Sequence, residues 1–289
     1  VNFSTQNRCC CDIDYFCRMD MAKRLFYFYI HGSIHVAIAV LSLVLMTYHM
    51  FNLPFDAPMA GFAFFGTLFG YNFIKYEARF RKKLPLRRFH KAVAAISITA
   101  LILGAVCFFL LNREAQLASL AFAALSVLYA VPFGSRGNLR SLAGIKIYIV
   151  ALCWAGVTTL MPLLNAGIDL GQDAWLKFCQ RFLLTIILIL IFEIIDLAED
   201  NPSLKTVPQK IGIKNTRLLN IMLLAVFYYL EFLKTYVDSN QLGVNVALVL
   251  AVGLFTMGAS PERNKYYTLF WVESVPIFWL GLVYLVGGF

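Results

Sequence analysis

Residues 193–200 read Glu193-Ile194-Ile195-Asp196-Leu197-Ala198-Glu199-Asp200 and close an apolar run over 182–192. A carboxylate beside hydrocarbon is costly, and several at one depth cost more. Glu193, Asp196 and Asp200 are spaced i, i+3, i+7, which puts all three on one helical face. Carboxylates held that close repel one another unless a cation sits among them. A hard divalent ion such as Mg²⁺, bridging to a diphosphate, is one solution. A helix end surfacing into water, its acids solvated or paired with lysines, is the other.

Outward from this stretch the chain is a membrane protein. Of its 289 residues 60% are hydrophobic and only 14% charged, where a soluble domain has roughly 25% charge; the mean hydropathy is +0.72. Nine apolar stretches are long enough to span a bilayer, at 26–51, 57–76, 89–111, 115–133, 141–164, 178–198, 216–237, 242–257 and 267–286. They follow one another with short links. The expectation is an all-α polytopic membrane protein, one transmembrane domain over 23–289. Residues 1–22 read as an N-terminal tail, disordered or upstream of the biological start.

Basic charge sorts by side. With the N-terminus cytoplasmic, that face carries Lys23 and Arg24, the cluster over 75–91, Arg136, Arg140, Lys146, Lys205, Lys210, Lys214, Arg217, Arg263 and Lys265. The other face keeps Arg113, Lys177, Arg181 and Lys234. This is a positive-inside pattern with an odd number of spans. The net charge of +9 therefore reports topology, and nucleic acid is excluded as a partner because no basic region is interleaved with aromatics on a soluble module. Of seven cysteines, Cys9, Cys10, Cys11 and Cys17 lie in the tail with no closed zinc spacing, and the rest read as small apolar fillers.

Polar residues collect in four groups. The first, at the end of the second span, runs from Tyr71 and Asn72 through Lys75, Glu77 and Arg79. The second follows Tyr129 and Pro132 with Arg136 and Arg140. The third is the acidic run with Lys205-Thr206-Val207-Pro208 and Gly212 after it. The fourth is Glu273-Ser274 in the last span. Convergence of the first three would give a pocket with a polar mouth and hydrocarbon walls, suited to an anionic head on an apolar tail.

These residues resemble the intramembrane prenyltransferases of the UbiA superfamily. The resemblance runs from about Lys23 to the end. The second Asp-rich motif of that family is matched by Glu193, Asp196 and Asp200, and its following turn by 205–208 with Gly212. A Tyr-x-x-Pro element is present as Tyr129 to Pro132. The resemblance implies nine transmembrane helices around a central cavity, with the motif loops cytoplasmic. It implies a prenyl diphosphate as substrate and Mg²⁺ as cofactor. Asp196, Asp200 and Asn72 would be catalytic. Glu193, Asp196 and Asp200 would hold the metal, and Lys75, Arg79, Tyr129, Arg136, Arg140 and Lys205 would bind substrate.

The first Asp-rich motif of the family departs. Asn72 keeps its asparagine, but the aspartate positions fall on Phe73, Tyr76 and Phe80, and Glu77 is one residue out of phase, a rotation of about 100°. This predicts at most a single Mg²⁺, with Lys75 or Arg79 supplying charge where a second ion would sit. It also supports an alternative, a catalytically degenerate relative that binds or presents an isoprenoid or other lipid. A solute transporter fits less well, since no inverted repeat is visible. His31 and His35, at i, i+4, read as polar packing because no third ligand accompanies them.

Overall fold

The computed structural model describes residues 20–81, 88–130, 144–201 and 204–287, with backbone only at 78–81, 130 and 287. The tail to residue 19, Arg136, Arg140 and the Arg79 side chain lie outside the described residues. Every element among the described residues is helical. In chain order they are α1 (Met21–His31), α2 (Ile34–Met50), α3 (Ala57–Arg81), α4 (Arg88–Leu110) and α5 (Arg113–Ala130). Then come α6 (Lys146–Asn165), α7 (Gln172–Ile195), α8 (Val207–Leu233), α9 (Ser239–Gly258) and α10 (Tyr267–Val286). Five of them, α4, α6, α8, α9 and α10, are long and apolar enough to cross a membrane, and α1 with α2 makes a sixth if that bent pair is one span. The protein is a multi-pass membrane protein. Its outward faces agree: Ile98, Leu101, Ile102, Val106 and Phe109 of α4 are exposed, as a lipid-facing stripe requires.

The expected first span over 26–51 is two helices bent by 57°. The break falls at Gly32 and Ser33, where Ser33 has φ 63°. The apolar pattern runs straight through it, so nothing in the periodicity marks it. The helix of the expected seventh span, α8, begins earlier than expected, at Val207. Thr206 caps it in a capping box with Gln209, whose Oε1 accepts from the Thr206 N–H at 3.0 Å. Gly212 then kinks α8 with φ 80° and ψ 161°, a conformation only glycine adopts cheaply.

The bundle is built around α7. The second half of this helix, 182–192, is apolar on every face apart from Thr185, and such a stretch belongs in the middle. Leu184, Ile187, Leu188, Ile191, Ile194 and Ile195 are buried against Leu224 and Phe227 of α8, Val244, Leu248 and Val252 of α9, and Val275 and Trp279 of α10. A second cluster joins α2, α3, α5 and α6 through Val44, Tyr48, Met59, Ala115 and Met161. At the α5–α6 crossing, Gly156 leaves room for the Phe122 ring, which a Cβ would meet at 1.9 Å.

Two basic residues of α7, Lys177 and Arg181, are buried inside the bundle, 1% and 2% exposed. The carboxylate of Glu231 accepts from Lys177 at 2.7 Å, Lys234 at 2.8 Å, Gln180 at 2.9 Å and Asn245 at 3.0 Å. Arg181 donates to the carbonyls of Leu43 and Thr158, the latter freed by a π-helical turn over Gly156–Leu160 in α6. The sequence does not mark this burial, because the polar partners that make it tolerable come from other helices.

Candidate functional site

The acidic run does not continue as α-helix. α7 ends at Ile195, and Asp196–Ala198 tightens into a 3₁₀ turn. The N–H groups of Glu199 and Asp200 both bond the Asp196 carbonyl at 2.9 Å. The three acids thereby separate in role. Glu193 is 3% exposed. Its Oε1 lies 2.9 Å from the Lys146 ammonium, and its Oε2 accepts from the Val207 N–H at 3.0 Å. Both oxygens are thus engaged, one by a cation and one by an orphan donor at the start of α8. Asp196 and Asp200 are left half-buried at the rim. Burial pushes the Asp196 carboxyl above the usual carboxylate range; Asp200 and Glu199 push the same way, while Lys265 and Lys146 oppose them. Among the described residues no three of His, Cys, Asp and Glu are grouped to hold a metal. Of the three acids, Glu193 is the one engaged by Lys146 and by the start of α8.

The residues of the first group meet α1. The break at Gly32 and Ser33 leaves the last α1 carbonyls without helical partners. α3 supplies them: Asn72 Nδ2 donates to the Gly32 carbonyl at 3.0 Å, while Lys75 Nζ and the Tyr76 hydroxyl donate to the His31 carbonyl at 3.2 and 3.0 Å. Asn72 is 2% exposed and its Oδ1 has no hydrogen-bond partner among the described residues. Lys75 is also electrostatically coupled to Glu273. Tyr129 is half-buried and coupled to Tyr71, whose hydroxyl accepts from Trp154 Nε1 at 2.7 Å. Lys205 is exposed, with φ 47°, in the turn ahead of Thr206.

His35 is used for packing. Its ring nitrogens meet the Tyr29 hydroxyl at 2.7 Å, the Phe270 carbonyl at 3.0 Å and the Ser274 hydroxyl at 3.2 Å. These bonds fasten the α1–α2 break to a second π-helical turn, Tyr267–Val272, at the start of α10. Glu273 follows that turn, beside Tyr29, Tyr71 and Lys75 in the electrostatic field of the bundle. Sequence reasoning missed Lys146, Trp154 and Lys265 as members of this region. The two lysines carried a signal, a basic residue at a helix start on the motif side, but nothing in the chain order says that either reaches the acids.

No family model matches the chain and no curated protein matches it by sequence. Solved structures do. One is a UbiA homologue from Archaeoglobus fulgidus bound to GPP and Mg²⁺, with a TM-score of 0.56 at 12% identity over 89% of this chain and 99% of that one. The chain has the UbiA fold. Another is a digeranylgeranylglyceryl phosphate synthase, with a TM-score of 0.55 at 18% identity over 92% of this chain and 97% of that one. The likeness spans nearly the whole of each chain. In this fold, the elements bearing Asn72, Tyr129, Asp196 and Glu273 belong to one helical bundle whose acidic turn lies at the end of α7.

Proposed function

We propose that the chain is a membrane prenyltransferase of UbiA type, moving a prenyl group from a prenyl diphosphate to an acceptor. The carrying observation is the Asp196–Asp200 pair at the end of α7, with Lys146 and Lys265 in its field, in a chain of this fold. All nine helical columns, with α1 and α2 as one, would cross the bilayer, with the N-terminus and the acidic turn cytoplasmic.

The donor set fits one Mg²⁺: Asp196 and Asp200 offer hard oxygen ligands, and Glu193 is committed elsewhere. Held by these two carboxylates, the ion would supply positive charge against a diphosphate leaving group. The residues of the chain do the rest. Lys75 or Arg79 takes the place of a second ion, Arg136, Arg140 and Lys205 bind phosphate oxygens, and Asn72 orients the complex. Tyr129 borders the prenyl chain next to Tyr71 and Trp154. The C1–O bond breaks with its electron pair leaving on the diphosphate. The allylic cation is captured by a nucleophilic atom of the acceptor, which then loses a proton. Fixed charge aimed at the leaving group is the main contribution such a site makes.

A second reading, a lipid-binding relative without catalysis, is favoured by one observation. Asn72, Lys75 and Tyr76 are already spent on the carbonyls of Gly32 and His31. One experiment separates the two: diphosphate release from a panel of prenyl diphosphates by the purified chain, with and without Mg²⁺. Mg²⁺-dependent release that Asp196→Asn lowers by roughly 100-fold or more supports transfer. Lys75→Gln and Arg79→Gln should weaken binding, and Glu77→Gln should not. Binding with no release supports the second reading, and neither binding nor release removes both.

A further inference from the structure

The loop between α9 and α10 brings a cation to the acidic turn that the sequence motifs do not include. Lys265 donates to Glu199 Oε2 at 2.5 Å, and Glu199 is bonded back to the Asp196 carbonyl within the 3₁₀ turn. Lys265 therefore stands within one turn of Asp196. Its backbone is fixed: the Lys265 carbonyl accepts from the Thr268 and Leu269 N–H groups at 3.2 and 3.0 Å and from the Thr268 hydroxyl at 3.0 Å. The next residue is anchored to α1, with the Tyr266 ring 5.6 Å from Phe26 and 6.3 Å from His31. Lys75 reaches the same residue from α3, through the His31 carbonyl at 3.2 Å. Two ammonium groups from distant parts of the chain thus act on His31 electrostatically, and Lys265 acts on Asp196 as well.

We propose that Lys265 is a diphosphate-binding residue: Glu199 holds it at the rim of the Asp196–Asp200 pair, and it grips the diphosphate from the α10 side while Lys75 approaches from α3. This rests on the diphosphate reading above and adds a ligand to it. The Glu199–Lys265 pair is about half exposed, at 63% and 55% for the two side chains. An exposed ion pair of this kind costs little to break. A bound diphosphate offers the ammonium several anionic oxygens and a charge-assisted bond in place of one carboxylate. Lys265 can therefore exchange Glu199 for phosphate with no movement of the backbone. Glu199 competes with the ligand for Lys265, so its removal should have the opposite effect to removal of the lysine.

The test is calorimetric titration of the full chain in detergent with inorganic diphosphate, and with geranyl diphosphate, each with and without Mg²⁺. Lys265→Gln should weaken binding about tenfold or more in both conditions. Glu199→Gln should tighten it by about two- to fivefold. Lys214→Gln removes the same charge from an exposed position on α8 and should leave affinity within about twofold. Melting temperatures without ligand should be alike for all four proteins. Lys265→Gln binding as wild type overturns the proposal, as does Glu199→Gln weakening binding like Lys265→Gln, which would make the ion pair merely structural. Equal losses in Lys265→Gln and Lys214→Gln would reduce the effect to general charge and also overturn it. If wild type binds neither probe, the diphosphate reading itself falls and takes Lys265 with it; binding by wild type that ignores Lys265 sinks this inference alone.

Discussion

Three carboxylates at i, i+3, i+7 look equivalent in the sequence, and the fold gives them different tasks. Glu193 is a joint, neutralised by Lys146 and bonded to the Val207 N–H. Asp196 is the strained member. Its carboxyl is raised by burial first and by Asp200 second. An acid whose folded pKa lies above its unfolded value takes up protons more readily when folded. Its contribution to stability is therefore present at low pH and lost as pH rises through the folded value. Asp196→Asn should raise the melting temperature at pH 7 to 8 in the absence of ligand, and the gain should shrink on acidification towards the ordinary carboxylate range. The same substitution should weaken Mg²⁺-dependent diphosphate binding. A variant that melts below wild type at neutral pH would show that Asp196 is a structural residue like Glu193. The motif itself was legible, since spacing and residue type both survive in the chain. The commitment of Glu193 was not, because Lys146 and Val207 lie far away in sequence or beyond a turn.

At the scale of elements, the turn over 205–208 with Gly212 was expected, and the helix start inside it was not, although Thr206, Pro208 and Gln209 spell one. The 57° bend of α1 against α2 was hidden in a continuous apolar run, and so were both π-helical turns. What satisfies them is tertiary: Asn72, Lys75 and Tyr76 for the first break, His35 for the turn in α10. Gly212 tests the expected part. Its φ of 80° with ψ of 161° lies where side chains are disfavoured, yet an added Cβ meets nothing within 4 Å. The cost of Gly212→Ala should then be conformational alone, about 1–3 kcal/mol. Gly212→Asn should cost as much, because asparagine's tolerance extends to the left-handed helical region and not to this one. Both should lower the melting temperature in detergent. A neutral Gly212→Ala would mean that the kink at α8 relaxes freely.

At the scale of the molecule, the two ends of the bundle handle charge in opposite ways. The acidic turn leaves charge half-exposed, with cations placed around it. The far end cancels its charges in the interior, on Glu231. Lys177 and Arg181 are buried groups and not loop charges. Single-cysteine reporters at positions 134 and 171 should label from opposite sides of the membrane, with 134 cytoplasmic; labelling from one side would sink the proposed nine-span topology. The far end also supplies a control for the functional reading. Lys177 and Ile195 are separated by about 27 Å of α7, at 1.5 Å per residue. Glu231→Ala leaves the Lys177 ammonium, 1% exposed, without its carboxylate, together with Gln180 and Asn245. Removing one partner of a buried pair costs about 3–5 kcal/mol, whereas replacing both by apolar residues of similar size is close to neutral. Glu231→Ala should therefore melt far below wild type, and Lys177→Met with Glu231→Leu should recover much of the loss. In whatever fraction remains folded, diphosphate affinity should be unchanged, because this cluster is a structural anchor a membrane thickness away from Asp196. Loss of affinity in the recovered double variant would show instead that the two ends are coupled through α7, and the division of labour between them would have to be abandoned.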